Sequence, residues 1–129
     1  MAVRLVPDET ALLLMELARQ RSEDVGRETS RFRVSAAALR QMAGRTALRT
    51  AFLEELADCV FERGWLFFSL GDRFGLVKSS AIETWPYISA KRIAPLLKRL
   101  GASTAARSSI FEELHERYPA GQLIEDEDE

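Results

Sequence analysis

Residues 31–78 read RFRVSAAALRQMAGRTALRTAFLEELADCVFERGWLFFSLGDRFGLVK, and the order of elements in this stretch decides the fold. Phe32 and Val34 alternate with Arg31 and Arg33, the period of a half-buried strand too short to stand without partners. Ser35 is a good helix cap, and the alanine-rich turn after it, with Leu39 and Met42, predicts a helix of about two turns. Gly44 ends that helix, Arg45 lies in the turn, and Thr46 is expected to cap a long helix over Ala47–Arg63. This second helix gathers Leu48, Phe52, Leu53, Leu56, Cys59 and Val60 on one face and stops at Gly64. Its opposite face carries Glu54, Glu55, Asp58 and Glu62. Trp65 to Leu70 then reads as an apolar strand. GDRFG, residues 71–75, reads as a turn holding Arg73 and Phe74 at a hairpin tip, with Leu76 and Val77 beginning the return.

Working outward, Pro7 followed by Asp8 and Glu9 starts a helix, because proline tolerates the first helical position and acids there meet the positive end of the dipole. It runs to about Val25 and stops at Gly26. Ala11, Leu13, Leu14, Met15, Leu17 and Ala18 cover about two thirds of its circumference, wider than a one-sided surface helix needs. The helix is therefore expected to pack on two sides, against the two helices that meet at Gly44 and against either the C-terminal segment or a second subunit. Downstream, Ser79 to Tyr87 reads as a loop or short helical turn, with Ile82, Trp85 and Tyr87 available to cover the core. Ser89 to Leu100 is helical by pattern, with Lys91, Arg92, Lys98 and Arg99 opposite an apolar face, and Pro95 makes it kink or begin properly near Ala94. Ala102 to Ser108 reads as a small-residue linker. Ser109 and Glu112 form a capping box for a short helix ended by Pro119. The acidic tail, residues 121–129, has too little apolar surface to order itself.

A chain of 129 residues, 47% hydrophobic and 29% charged, is long enough for one soluble domain with a real core, here residues 1–120. One cysteine makes no internal disulfide, which suits a reducing, cytoplasmic setting. The apolar run Ala11 to Met15 ends at Glu16, too short for a signal core or a membrane span, so no membrane partner is expected. The net charge of −2 conceals a strong asymmetry. Arginines 27, 31, 33, 40, 45 and 49 face only Glu28 between Arg27 and Arg49, while residues 125–129 are all acidic.

The order helix, strand, helix, helix, strand, strand, with the glycine-ended turn at Gly44 and the hairpin, resembles the winged-helix domain over roughly residues 8–78. The resemblance implies an α+β, mostly α fold: a three-helix core, a small antiparallel sheet, and here a C-terminal helical extension over residues 89–118. It further implies a small protein that binds double-stranded DNA, as a transcriptional regulator or DNA-associated accessory factor. Arg45, Thr46, Arg49 and Thr50 match the positions from which such domains touch DNA, Arg31 and Arg33 add phosphate partners, and Arg73 on the wing reaches towards a minor groove. The chain departs from the family pattern in the acidic face at Glu54, Asp58 and Glu62, which would press carboxylates towards phosphates. The alternative is a winged-helix protein-interaction module in a multi-subunit assembly, with no direct DNA reading; in either case the first helix is expected to offer a surface for a homodimer or a protein partner.

Groups for catalysis are sparse. Cys59 lies on an apolar helix face, where a thiol packs rather than reacts. His115, between acids, lacks the companions of a metal site. There is no GxxxxGK loop and no GxSxG elbow. No cofactor, metal or enzymatic activity is expected. Trp65, Phe67 and Phe68 read as hairpin core rather than a base-stacking platform.

Overall fold

Helix α1 spans Pro7–Val25, entered through proline in its first turn and closed by Gly26. Glu9 Oε1 accepts from the Val6 amide at 3.1 Å, and the Thr10 hydroxyl donates to the Val6 carbonyl, so the first turn ties up its own loose ends. Strand β1 (Arg31–Ser35) leads directly into α2 (Ala36–Ala43), where the Ser35 hydroxyl accepts from the Ala38 amide. Helix α3 (Thr50–Glu62) is followed by β2 (Trp65–Leu70) and β3 (Arg73–Lys78). The strands form an antiparallel sheet in the order β1-β3-β2. Arg33 pairs with Gly75, and Gly75 pairs in turn with Phe68. A four-residue helix α4 (Ser79–Ile82) ends this part of the chain.

The computed structural model describes residues 3–121 and divides into two units, Met1–Pro86 and Tyr87–Glu129. The run of five acids at residues 125–129 lies outside the described residues. In the first unit Leu14, Leu39, Leu56, Val60 and Leu76 are the fully buried large side chains, so α1, α2, α3 and the inner face of the sheet share one core. Phe32 meets Trp65 edge-on at 5.6 Å and Phe67 stacks on Phe74 at 5.2 Å, closing the sheet side of that core. The second unit has a 3₁₀ turn at Ala90–Ile93, then α5 (Ala94–Leu100) and α6 (Thr104–Arg117). Pro95 falls in the first turn of α5, the place where the helix loses no hydrogen bond to it. The chain is α+β and mostly α, and its helices with a small antiparallel sheet are compatible with a winged-helix-like arrangement.

Four expectations need correction. Helix α3 begins at Thr50 behind Arg49, not behind Thr46. Residues 45–49 are held instead by contacts from elsewhere: the Arg45 amide bonds to Arg40, its guanidinium to Leu5, and Leu48 packs on the core. The hairpin turn is Gly71–Asp72 rather than five residues, so Arg73 and Phe74 belong to β3. A two-residue turn needs only the left-handed glycine that Gly71 supplies, at φ 69°. Helix α6 begins at Thr104, capped by the Ser103 hydroxyl on the Ala106 amide, because the alanines after Ser103 extend helix through the expected linker. Trp85 and Tyr87, expected to cover the core, are exposed; in the first unit α1 buries Thr10, Ala11, Leu14 and Ala18, with Leu12, Leu13 and Leu17 exposed.

On the outer surface of α1, Arg19 bonds both carboxylate oxygens of Glu16 at 2.6 and 3.0 Å and Gln20 adds a third bond at 2.8 Å. The bonds to Arg19 and then to Gln20 hold the Glu16 carboxyl down to about 2, from an ordinary 4.5. A depressed acid stabilises the fold above its unfolded value and loses that contribution as pH falls through the folded value. The effect is small because the cluster is solvent-exposed. Glu16→Gln should therefore lower the urea midpoint slightly at pH 7, with the difference from wild type shrinking steadily between pH 4.5 and pH 2.

Candidate nucleic-acid interface

The expected site residues fall into two groups, both in the first unit. The first group is on the outer face of the sheet. Strand alternation puts Arg31, Arg33, Arg73, Gly75 and Phe68 on the face opposite Phe32, Val34, Phe74 and Leu76. Arg31 and Arg33 are exposed, and Arg73 is half-exposed. Phe68 lies across Gly75 so closely that a Cβ there would come within 2.5 Å of its ring. Phe68 and Leu70 remain exposed beside the arginines. The sheet thus presents cations interleaved with an aromatic ring, a juxtaposition that one-dimensional reading of β2 alone missed because Arg31 and Arg33 are more than thirty residues away. Strand register was the available signal: the two inward apolar side chains on β3, Phe74 and Leu76, require Arg73 to face outwards.

The second group surrounds the N-terminal end of α3. Arg4, Arg45, Thr46, Arg49 and Phe52 line a cleft of about 370 Å³, with Glu55 as its acid. Arg45 is built into the fold: Nη2 donates to the Leu5 carbonyl at 2.6 Å, and the guanidinium sits 4.0 Å above the centre of the Phe52 ring. Its Nε is buried without a partner. Burial, and then the neighbouring Arg4 charge, push the Arg45 pKa down from its ordinary value. The Arg4 and Arg49 side chains make no hydrogen bond or ion pair among the described residues, and both are exposed. Thr46 and Thr50 are exposed at the same corner, and Thr50 is the first residue of the helix. Arg4 was missed by sequence reading, since it precedes the first element and only the fold returns it to residue 45. Arg45→Met keeps the aliphatic stem but loses the bond and the ring contact, and should cost about 1–3 kcal/mol in denaturant unfolding.

No protein-family model, no curated protein and no solved structure matches this chain. The remaining groups singled out from sequence are quiet. Burial, with Asp8 and Glu62 nearby, pushes the Cys59 thiol up and away from the reactive thiolate. His115 Nδ1 lies 2.8 Å from the Phe111 carbonyl within its own helix. Among the described residues no three His, Cys, Asp or Glu side chains gather where they could hold a metal ion, and no helix is long and apolar enough to cross a membrane.

Helix α3 itself is divided along its length. Glu54, Asp58, Phe61 and Glu62 are exposed, and the three carboxylates make no ion pair among the described residues, while Glu55 turns towards the cleft. Arg63, just beyond the helix, is occupied by Asp8 at 2.6 Å and by the Cys59 carbonyl at 3.0 Å. Positive charge therefore belongs to the start of α3 and to the sheet, and negative charge to the exposed flank of α3.

Proposed function

We propose that this chain is a winged-helix module that docks on double-stranded DNA end-on, through the N-terminal end of α3 and the outer face of the wing sheet. The observation that carries the reading is the convergence of Arg4, Arg45 and Arg49 on one cleft at the start of α3. Guanidinium groups pair with phosphate oxygens through parallel N–H bonds and stay charged at any physiological pH. A helix beginning adds its own partial positive charge, and Arg49 caps α3 without a side-chain hydrogen bond, so the first amides are not already satisfied by a cap. The exposed carboxylates at Glu54, Asp58 and Glu62 repel a phosphate backbone laid along α3, which is why the docking is through its end. Such binding positions the protein on the duplex without reading bases deeply.

A second reading is favoured by that same acidic flank. Thr50, Leu53, Glu54, Ala57, Phe67 and Phe68 line a shallow groove of about 290 Å³ between α3 and β2, beside exposed Asp58 and Phe61. A groove that is apolar at its floor and acidic at its rim suits a basic amphipathic segment of another protein. Fluorescence anisotropy with a labelled duplex of about two helical turns separates the two. The DNA reading expects binding at low salt that Arg49→Glu weakens by at least about tenfold and that Glu54→Lys with Asp58→Lys strengthens. Absence of duplex binding, with loss of a co-purifying protein in the Glu54→Lys, Asp58→Lys variant, establishes the second reading instead.

A further inference from the structure

We infer that the cleft between the N-terminal segment and the start of α3 is a discrete binding site for a single phosphate group, with Arg4 and Arg49 as its two exposed jaws and Arg45 as its fixed floor. This inference takes from the DNA reading only the identity of one phosphate source; the geometry stands without it. Three guanidinium groups share a cleft of about 370 Å³ with one carboxylate, Glu55, so the cleft carries surplus positive charge. Like charges held together cost free energy unless an anion joins them, and the cost is highest where a member of the group is shielded from water. Arg45 is that member. Its guanidinium is clamped between the Leu5 carbonyl and the Phe52 ring, and its Nε is buried with no partner. Neither contact supplies a full negative charge.

The fixed floor matters for affinity. Arg45 is ordered by the fold before any ligand arrives, so its contribution needs no loss of side-chain freedom on binding. Arg4 and Arg49 are exposed and make no bond or ion pair among the described residues, so no existing partner has to be displaced. The cleft is larger than a phosphate group. A phosphodiester of duplex backbone and a terminal 5′-phosphate are therefore both admissible, and share the chemistry of tetrahedral oxygen acceptors facing planar donors.

Inorganic phosphate is the first probe, titrated at constant ionic strength into ¹⁵N-labelled full chain while amide resonances are followed by NMR. The inference expects saturable shifts at Ala51 and Phe52. Affinity should fall about tenfold or more in Arg4→Gln with Arg49→Gln, and rise in Glu55→Gln. Arg4 and Arg49 are exposed, so the double variant should keep the wild-type thermal transition, and Glu55→Gln tests the site without removing a cation. Blunt duplexes with and without 5′-phosphates then separate the sources: a uniform loss in the double variant assigns backbone phosphate, and a loss confined to phosphorylated ends assigns the terminal group. Phosphate binding without duplex binding keeps the site and removes the DNA reading. Non-saturable shifts, or phosphate affinity unchanged in the double variant, overturn the site, even if the duplex still binds.

Discussion

Phe74→Ala should destabilise the first unit by about 3–5 kcal/mol, a large share of the roughly 5–15 kcal/mol that holds a domain of ordinary stability. Phe74 is 3% exposed and stacks on Phe67 with 5.2 Å between ring centres. Removing the ring strips the central strand of its largest inward side chain and leaves a void bounded by β1 and β2, because β3 is paired on both edges. The sheet cannot close the gap by sliding, since a one-residue slip would turn every inward side chain outwards. Urea unfolding followed by tryptophan fluorescence reads the loss, with Trp65 in the same core as reporter. An effect below about 1 kcal/mol would mean that Phe74 lies at the surface of the turn, as the five-residue reading of GDRFG has it.

Gly44→Ala is expected to cost about 2–4 kcal/mol, from two separate causes. Gly44 adopts φ 66°, a left-handed conformation that costs an alanine roughly 1–2 kcal/mol. In addition, a Cβ on Gly44 would lie 1.9 Å from the Val3 carbonyl oxygen, which is backbone and cannot swing aside. The N-terminal segment would have to lift from the end of α2, losing the 2.9 Å bond from the Leu5 amide to the Ala43 carbonyl and disturbing the Leu5 carbonyl that holds Arg45. The substitution therefore couples stability to the candidate site: it should reduce duplex binding as well as the unfolding midpoint. Gly26→Ala provides the comparison, since Gly26 also has a positive φ, 77°, but nothing stands within 4 Å of its added Cβ. Its cost should stop at the conformational part.

These two positions show what the sequence made legible and what it did not. Ser35 and Gly44 announce the ends of α2 through local chemistry, a hydroxyl cap and a left-handed glycine, and both act so. Pro95 likewise marks the start of α5 because ring and backbone conflict locally. The start of α3 was misread because its determinants are distant: Leu5 and the core set the path of residues 45–49, and no residue within that loop records them. Phe74 was misread because two glycines four positions apart suggest a loop, whereas Gly75 is a strand residue that makes room for Phe68. For the candidate site, the arginines were visible as a run of charge, but their division into a sheet face and a helix-end cleft depends on strand register and on the return of Arg4. The acidic flank of α3 was visible as well, because helical spacing alone places Glu54, Asp58 and Glu62 together.

The dependence of duplex affinity on salt tests the central claim most directly. If the cleft at the start of α3 holds one phosphate and Arg31, Arg33 and Arg73 on the sheet each neutralise another, log K should fall with log salt concentration with a slope of about −3 to −4. Arg49→Gln should make that slope shallower by about 0.9 while leaving the fold intact. Binding that does not weaken with salt, or a slope untouched by Arg49→Gln, would contradict the account.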